Sequence, residues 1–217
     1  MRDKVINGII NERLIVIVRG LDDKYLLPLA ECLYDGGVKF MEVTFTAGGD
    51  KADEATAGTL ALLCEKTRGK MTIGAGTVLT VGQVDLAFGA GAKFIVSPDV
   101  SPEVIARAKD KSLVSIPGAF TPTEIRLAVK SGADFVKLFP ANSMGADYVR
   151  AIKAPLPDVK FIATAGMTVD NMASYYKAGV AGFGIGAGII DKEALISGNY
   201  IKVAARAKEY VDFIKSL

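Results

Sequence analysis

Histidine is missing altogether from these 217 residues. Its absence removes at once the commonest general base and the commonest metal ligand, so any chemistry must run on lysine, carboxylates, hydroxyls and backbone dipoles. Cysteine is nearly as scarce. Cys32 and Cys64 stand alone in helix-like segments, far from the paired spacing of a metal or redox site, and read as buried free thiols. A dominant charge is also lacking, because 26 Lys+Arg face 24 Asp+Glu. That balance leaves no basic field to hold nucleic acid or a membrane surface, and the expected partner is a small molecule. Long apolar runs are absent too: the longest, Val180 to Ile190, is too short and too rich in glycine to span a bilayer. The opening Met1-Arg2-Asp3-Lys4-Val5-Ile6-Asn7-Gly8 leads into a charged amphipathic stretch rather than a signal pattern, so a cytoplasmic location is expected.

What the chain does have is alternation. Short β-rich runs (Leu14 to Val18, Phe40 to Phe45, Met71 to Ala75, Lys93 to Ser97, Leu113 to Ile116, Asp134 to Phe139, Val159 to Ala163, Gly182 to Gly186) predict eight strands. Helical patterns fill the gaps, as in Lys24 to Tyr34, Val81 to Phe88, Pro102 to Lys109, Glu124 to Val129 and Met172 to Lys177. Ser101-Pro102 and Thr121-Pro122, the latter with Glu124 three residues on, are capping signals. Gly37, Gly91, Gly132 and Gly179 each stand just before a strand, as helix-ending glycines do. Eight βα units over residues 1–217 predict a single-domain α/β fold, a (β/α)8 TIM barrel with an N-terminal helix, whose active-site residues lie at the C-terminal ends of the strands. A doubly wound open sheet is the alternative. It is disfavoured because Val18-Arg19-Gly20-Leu21-Asp22 lacks the glycine fingerprint of a dinucleotide site.

Several side chains fall where a barrel would use them. Lys137 shares a strand face with Phe135 and Phe139, and a low-dielectric site there pushes a lysine toward the neutral amine that attacks carbonyls. A strand-end lysine snorkelling to water is the plainer alternative. Glu42 shares a face with Phe40 and Thr44 and would project into the barrel, either as an acid/base or as a buried partner for an inward lysine. In Gly74-Ala75-Gly76-Thr77 the small residues would let a ligand approach the backbone, and Thr77 offers a hydroxyl or a helix cap. Pro98 stiffens the loop after the fourth strand. The last two loops, Ala163-Thr164-Ala165-Gly166-Met167-Thr168 and Gly184-Ile185-Gly186-Ala187-Gly188-Ile189, suit an anion or are simply tight turns. Arg19, at the end of the first strand and beside the eighth, strengthens the anion reading.

Taken together, Glu42-Val43-Thr44, Gly74-Ala75-Gly76-Thr77-Val78-Leu79, Val96-Ser97-Pro98, Ile116-Pro117-Gly118, Val136-Lys137-Leu138-Phe139-Pro140 and Thr164-Ala165-Gly166 occur in the order seen in a known family. The chain resembles the 2-keto-3-deoxy-6-phosphogluconate/4-hydroxy-2-oxoglutarate aldolases over nearly its whole length. The resemblance implies a class I aldolase, usually a homotrimer, that needs no metal or other cofactor. It implies Lys137 as the Schiff-base residue, Glu42 as the proton acceptor, and Thr77, Pro98, Phe139 and Thr164 as walls of the pyruvyl pocket. It also implies a phosphate site at Arg19, Ala165, Gly166, Gly186, Ala187 and Gly188.

The chain departs from the family pattern at identifiable places. An arginine that many members carry shortly after the glutamate is Thr46 here, which leaves a hydroxyl, backbone N–H groups or Arg19 to grip the keto acid's carboxylate. The following stretch, Ala47-Gly48-Gly49-Asp50-Lys51-Ala52-Asp53-Glu54, is longer and more polar than usual for the family and lies beside Glu42, able to alter which aldehyde is accepted. Thr-Gly-Gly is replaced by Thr164-Ala165-Gly166, and a serine by Gly188. Two other classes share parts of the pattern: a phosphate-binding barrel isomerase or epimerase, and a non-catalytic sugar-phosphate sensor. Most mechanisms of the first class lean on histidine or metal, and this chain has no histidine; a sensor would keep the loops yet have no use for an inward Lys137 and Glu42.

Overall fold

In a computed structural model describing residues 1–217, the β-branched runs and amphipathic helices form a ring of parallel strands wrapped by helices. The strands are β1 (Leu14–Val18), β2 (Phe40–Thr44), β3 (Thr72–Gly76), β4 (Phe94–Val96), β5 (Val114–Ile116), β6 (Gly118–Ala119), β7 (Val136–Leu138), β8 (Phe161–Thr164) and β9 (Gly182–Ile185), and the helices run from α1 (Arg2–Glu12) through α2 (Leu26–Asp35), α3 (Asp50–Lys66), α4 (Val81–Gly89), α5 (Pro102–Asp110), α6 (Pro122–Ser131), α7 (Gly145–Lys153), α8 (Val169–Lys177) and α9 (Lys192–Ile196) to α10 (Tyr200–Lys215). Their order in the sheet is β5-β4-β3-β2-β1-β9-β8-β7-β6, so its two edges are consecutive in the chain and separated only by Pro117. Proline has no N–H to donate and interrupts the ladder. Ile116 O still accepts from Ser97 N, next to β4, while Pro117 O accepts from Lys137 N on β7. The expected fifth strand is thus two short ones, and the (β/α)8 barrel closes through covalent continuity.

Local chemistry explains the connections. Gly37, Gly91, Gly132 and Gly179 have φ of 95°, 94°, 99° and 99°, a left-handed conformation that side chains with a Cβ rarely adopt. Ser101 caps α5 (Pro102–Asp110), and Thr121 with Glu124 forms a reciprocal capping box at α6 (Pro122–Ser131). The polar stretch after β2 is mostly helical. From Asp50 onward it is the first turn of α3 (Asp50–Lys66), where Asp50 and Asp53 suit the positive end of the helix.

Two cores share the strands. Outward residues such as Met41, Val43, Val136 and Leu138 pack beneath the surrounding helices. The inward residues Ile15, Phe40, Phe94, Val96, Val114, Ile116, Phe135 and Ile162 form a separate cluster with Val5 and Ile9 of α1 (Arg2–Glu12), which closes the N-terminal end of the barrel. Arg2 donates to Asp134 at 2.5 Å, and the other Asp134 oxygen accepts from Ser115 N at 3.0 Å, anchoring that helix. The last long helix, α10 (Tyr200–Lys215), lies on α2 (Leu26–Asp35) and the Gly36 that follows it, where a Cβ would come 2.5 Å from that of Ala207. No helix is long and apolar enough to cross a membrane.

Candidate active site

Period-two geometry carries Glu42 and Lys137 inward at the opposite end of the barrel from α1. Phe40 and Phe135, which share their faces, belong to the inner cluster, whereas Met41, Val43, Val136 and Leu138 belong to the outer one. Lys137 is 5% exposed and Glu42 2%. The Lys137 ammonium stands 4.5 Å from the centroid of the Phe139 ring. No ion pair joins it to Glu42, yet each feels the other's charge. Burial pushes the Glu42 carboxyl up to about 7, against the pull of Lys137 and Arg19. Burial likewise lowers Lys137 from the ordinary lysine range, with Glu42 opposing and Arg19 reinforcing the shift. Glu42 Oε2 and the neighbouring Thr44 hydroxyl are buried without a hydrogen-bond partner, a state that costs free energy unless a ligand or water satisfies them.

The glycines of β3 do something other than admit a ligand. A Cβ on Gly74 would lie 2.4 Å from the Phe94 ring, and one on Gly76 would lie 2.6 Å from Glu42 Oε1. They make room for a core ring and for the carboxylate itself. Gly184 serves Thr164 in the same way, since its Cβ would stand 2.6 Å from the threonine hydroxyl.

Above Lys137 opens a cavity of about 950 Å3. Its walls include Arg19, Lys137, Phe139, Thr164, Ala165, Gly166, Gly186, Ala187 and Gly188, so most of the residues expected from sequence meet in one place. The backbone N–H groups of Ala165, Gly166, Met167, Ala187 and Gly188 make none of the chain's internal backbone hydrogen bonds, as suits donors facing an anion. Ala165, where the family pattern has glycine, is held at φ 82°.

Some of the expected residues lie elsewhere. Thr46 does not reach this cavity: the chain turns outward after Phe45, and Thr46 is exposed, lining a separate pocket of about 290 Å3 with Asp23, Thr44, Thr56 and Thr59. Pro98, Thr77 and Glu42 are likewise not among the residues that line this cavity. Pro98 has its carbonyl pressed toward Gly118, where a Cβ would come within 2.3 Å, and Thr77 accepts a 2.9 Å hydrogen bond from Arg19 Nη2. Arg19 therefore reaches over the barrel mouth toward β3 rather than along the last two loops. The short helix after the last loop, α9 (Lys192–Ile196), is capped by Asp191, which accepts from Ala194 N at 2.9 Å. That bond, followed by Lys202 at 2.8 Å, holds the Asp191 carboxyl below its usual range.

Other cavity residues escaped the sequence reading. Ile17 was visible in principle, since it alternates with the inward Ile15 on β1. Asp191, Lys192 and Glu193 left no local signal. Lys192 donates to Gly20 O at 3.2 Å and Arg19 O at 3.4 Å, linking the first loop to the last.

A buried amine and a buried carboxylate at the C-terminal mouth of a closed (β/α)8 barrel, under loops with free N–H groups, define a class: barrel enzymes working on small oxygenated acids. Comparison with known proteins narrows it. The family model described as KDPG and KHG aldolase matches residues 5–206. A probable 2-dehydro-3-deoxy-6-phosphogalactonate aldolase of Rhizobium meliloti is 36% identical over 177 residues, 81% of each chain. The 2-dehydro-3-deoxy-phosphogluconate aldolase of Haemophilus influenzae is 32% identical over 203 residues, 93% of this chain and 91% of its own. A crystal structure of the Legionella pneumophila KDPG aldolase, with pyruvate captured as a covalent carbinolamine intermediate, superposes with a TM-score of 0.82 at 28% identity, covering 94% of this chain and 97% of that one. The chain belongs to the KDPG and KHG aldolase family and is a lyase of the class I aldolase type.

Proposed function

We propose that this aldolase cleaves a 2-keto-3-deoxy-6-phospho sugar acid to pyruvate and glyceraldehyde 3-phosphate, with Lys137 as the nucleophile and Glu42 as the acid/base. The carrying observation is the pair itself: an amine that burial drives toward neutrality, beside a carboxyl that burial raises to about 7, with no ion pair locking them together. Neutral Lys137 adds to the C2 carbonyl, and loss of water leaves an iminium. The C3–C4 bond then breaks with its electron pair passing into the iminium, while Glu42, directly or through a water, takes the C4 hydroxyl proton. The resulting enamine is protonated at C3, and hydrolysis of the imine releases pyruvate.

The relatives named above act on phosphogluconate- and phosphogalactonate-derived acids, and the free N–H groups of the last two loops support a phosphate at the distal end of the substrate. Arg19, bonded to Thr77 and felt by both Glu42 and Lys137, is better placed for the carboxylate of the keto acid. In this reading it takes the part of the arginine replaced by Thr46. Phe139 and Thr164 flank the pyruvyl group. The working unit is a single-domain barrel over residues 1–217, assembled as a homotrimer in the cytoplasm.

Borohydride reduction in the presence of pyruvate tests the chemistry. A permanent mass adduct on Lys137 is expected, and an unmodified protein at saturating pyruvate would remove the Schiff-base reading.

A further inference from the structure

We propose that Arg206, on a helix outside the catalytic cavity, is a positioning residue that sets the anion-facing turn after β9; the inference rests on the phosphate reading above. The turn is small and well defined. Ile189 N and Ile190 N both donate to Gly186 O at 3.0 Å, which closes a loop whose central residues are Ala187 and Gly188. A turn of this kind directs the N–H groups of its central residues away from its own hydrogen bond, and neither Ala187 N nor Gly188 N is used within the backbone.

What fixes the turn comes from α10. Arg206 Nε donates to Gly188 O at 2.9 Å, and its Nη1 pairs with Glu209 at 2.6 Å, so the guanidinium is braced along its own helix. The same guanidinium lies 5.1 Å from the centroid of the Tyr210 ring. Tyr210 is 1% exposed, and its hydroxyl fills the space where a Cβ on Gly188 would fall, 2.7 Å away. This packing accounts for glycine at 188. A further tie, Lys202 to Asp191 at 2.8 Å, secures the downstream end of the loop. The carbonyl that Arg206 holds is part of the peptide that closes the turn, so losing the bond frees the turn to rotate its unused N–H groups away from the cavity. Arg206 lines a pocket on the far side of the loop and not the cavity above Lys137. Its effect should thus fall on the substrate's distal group and spare the reacting carbons.

The test compares 2-keto-3-deoxy-6-phosphogluconate with 4-hydroxy-2-oxoglutarate in wild type, Arg206→Ala and Arg206→Lys. For Arg206→Ala the expected result is a KM for the phosphorylated acid raised about tenfold with kcat within about twofold of wild type. The KM for the unphosphorylated acid and the rate of borohydride trapping by pyruvate should stay where they are. Arg206→Lys, which keeps a donor near Gly188 O, should recover a large part of the loss. Equal KM changes on both substrates, or none, overturn the positioning role, as does a lysine variant no better than alanine despite an unchanged melting temperature. If Arg206→Ala fails to fold, Arg206→Gln takes its place: a KM rise confined to the phosphorylated acid is expected, and equal changes on both substrates, or none, reject the proposal. A wild type that handles the two acids equally sinks the phosphate reading, and this inference with it.

Discussion

At its N-terminal end the barrel interior is filled by Val5 and Ile9 of α1 packed among Phe40, Phe94 and Phe135, with every large side chain apolar and Asp134 at the edge paired to Arg2. At its C-terminal end the same strands present Glu42, Thr44 and Lys137, with two polar atoms unpartnered and a cavity of about 950 Å3 opening over Lys137. Two residues along β2 and β7 separate these environments. A barrel tolerates a costly site because tight apolar packing at one end holds the strands rigid, so the buried pair at the other is not drawn together into an ion pair.

The comparison can be broken most completely at Lys137. Arginine there keeps the charge and cannot form an imine, so Lys137→Arg is expected to fold while both pyruvate release and borohydride trapping fall to background. Substantial cleavage by that variant would contradict the mechanism. At Glu42, the glutamine variant should still trap pyruvate, more slowly, while kcat drops by roughly 10² or more. The same substitution sharpens the contrast through pH. Glu42 has a folded-state pKa near 7, above its ordinary 4.5, so its contribution favours the fold below about pH 4.5 and is lost as pH rises through 7. Relative to Glu42→Gln, the wild type should therefore lose stability between pH 5 and pH 8, by on the order of 3 kcal/mol. A constant difference between their melting curves across that range would mean that the carboxyl is not desolvated.

The opposite end predicts the opposite phenotype. Ile9→Ala removes a fully buried side chain from the plug and should cost about 2–5 kcal/mol, seen as a lowered urea midpoint, with kcat per folded molecule unchanged. A comparable loss of kcat would show the two ends to be coupled. Arg19→Ala should raise KM for phosphorylated and unphosphorylated keto acids alike, roughly tenfold, as a carboxylate contact common to both requires. A loss confined to the phosphorylated acid would return Arg19 to the phosphate. The smallest effect belongs to Ala165, held at φ 82°. Relief of roughly 1–2 kcal/mol of left-handed strain, less roughly 0.5–1 for glycine's chain entropy, leaves Ala165→Gly more stable by about 0.5–1 kcal/mol. Thermal unfolding decides the sign.

Much of this architecture was legible because it is written locally. The glycines at 37, 91, 132 and 179 answer to the φ of their own residue, the Thr121–Glu124 box closes within one turn, and Lys137 and Glu42 stand out because a charge in an alternating apolar strand breaks a period of two.

By itself, then, the sequence determined the alternation of strands and helices, the inward charges and the family to which the chain belongs. Only the tertiary structure decided what each of these meets. Gly76 makes room for Glu42 from a neighbouring strand, Arg19 turns to Thr77, and Asp191 caps the helix that follows the last loop. Thr46 faces another pocket, and Arg206 holds Gly188 from α10. Each of these pairings except Asp191's joins groups far apart in the chain. Their geometry follows from barrel closure, and nothing in the spacing of a single segment encodes it.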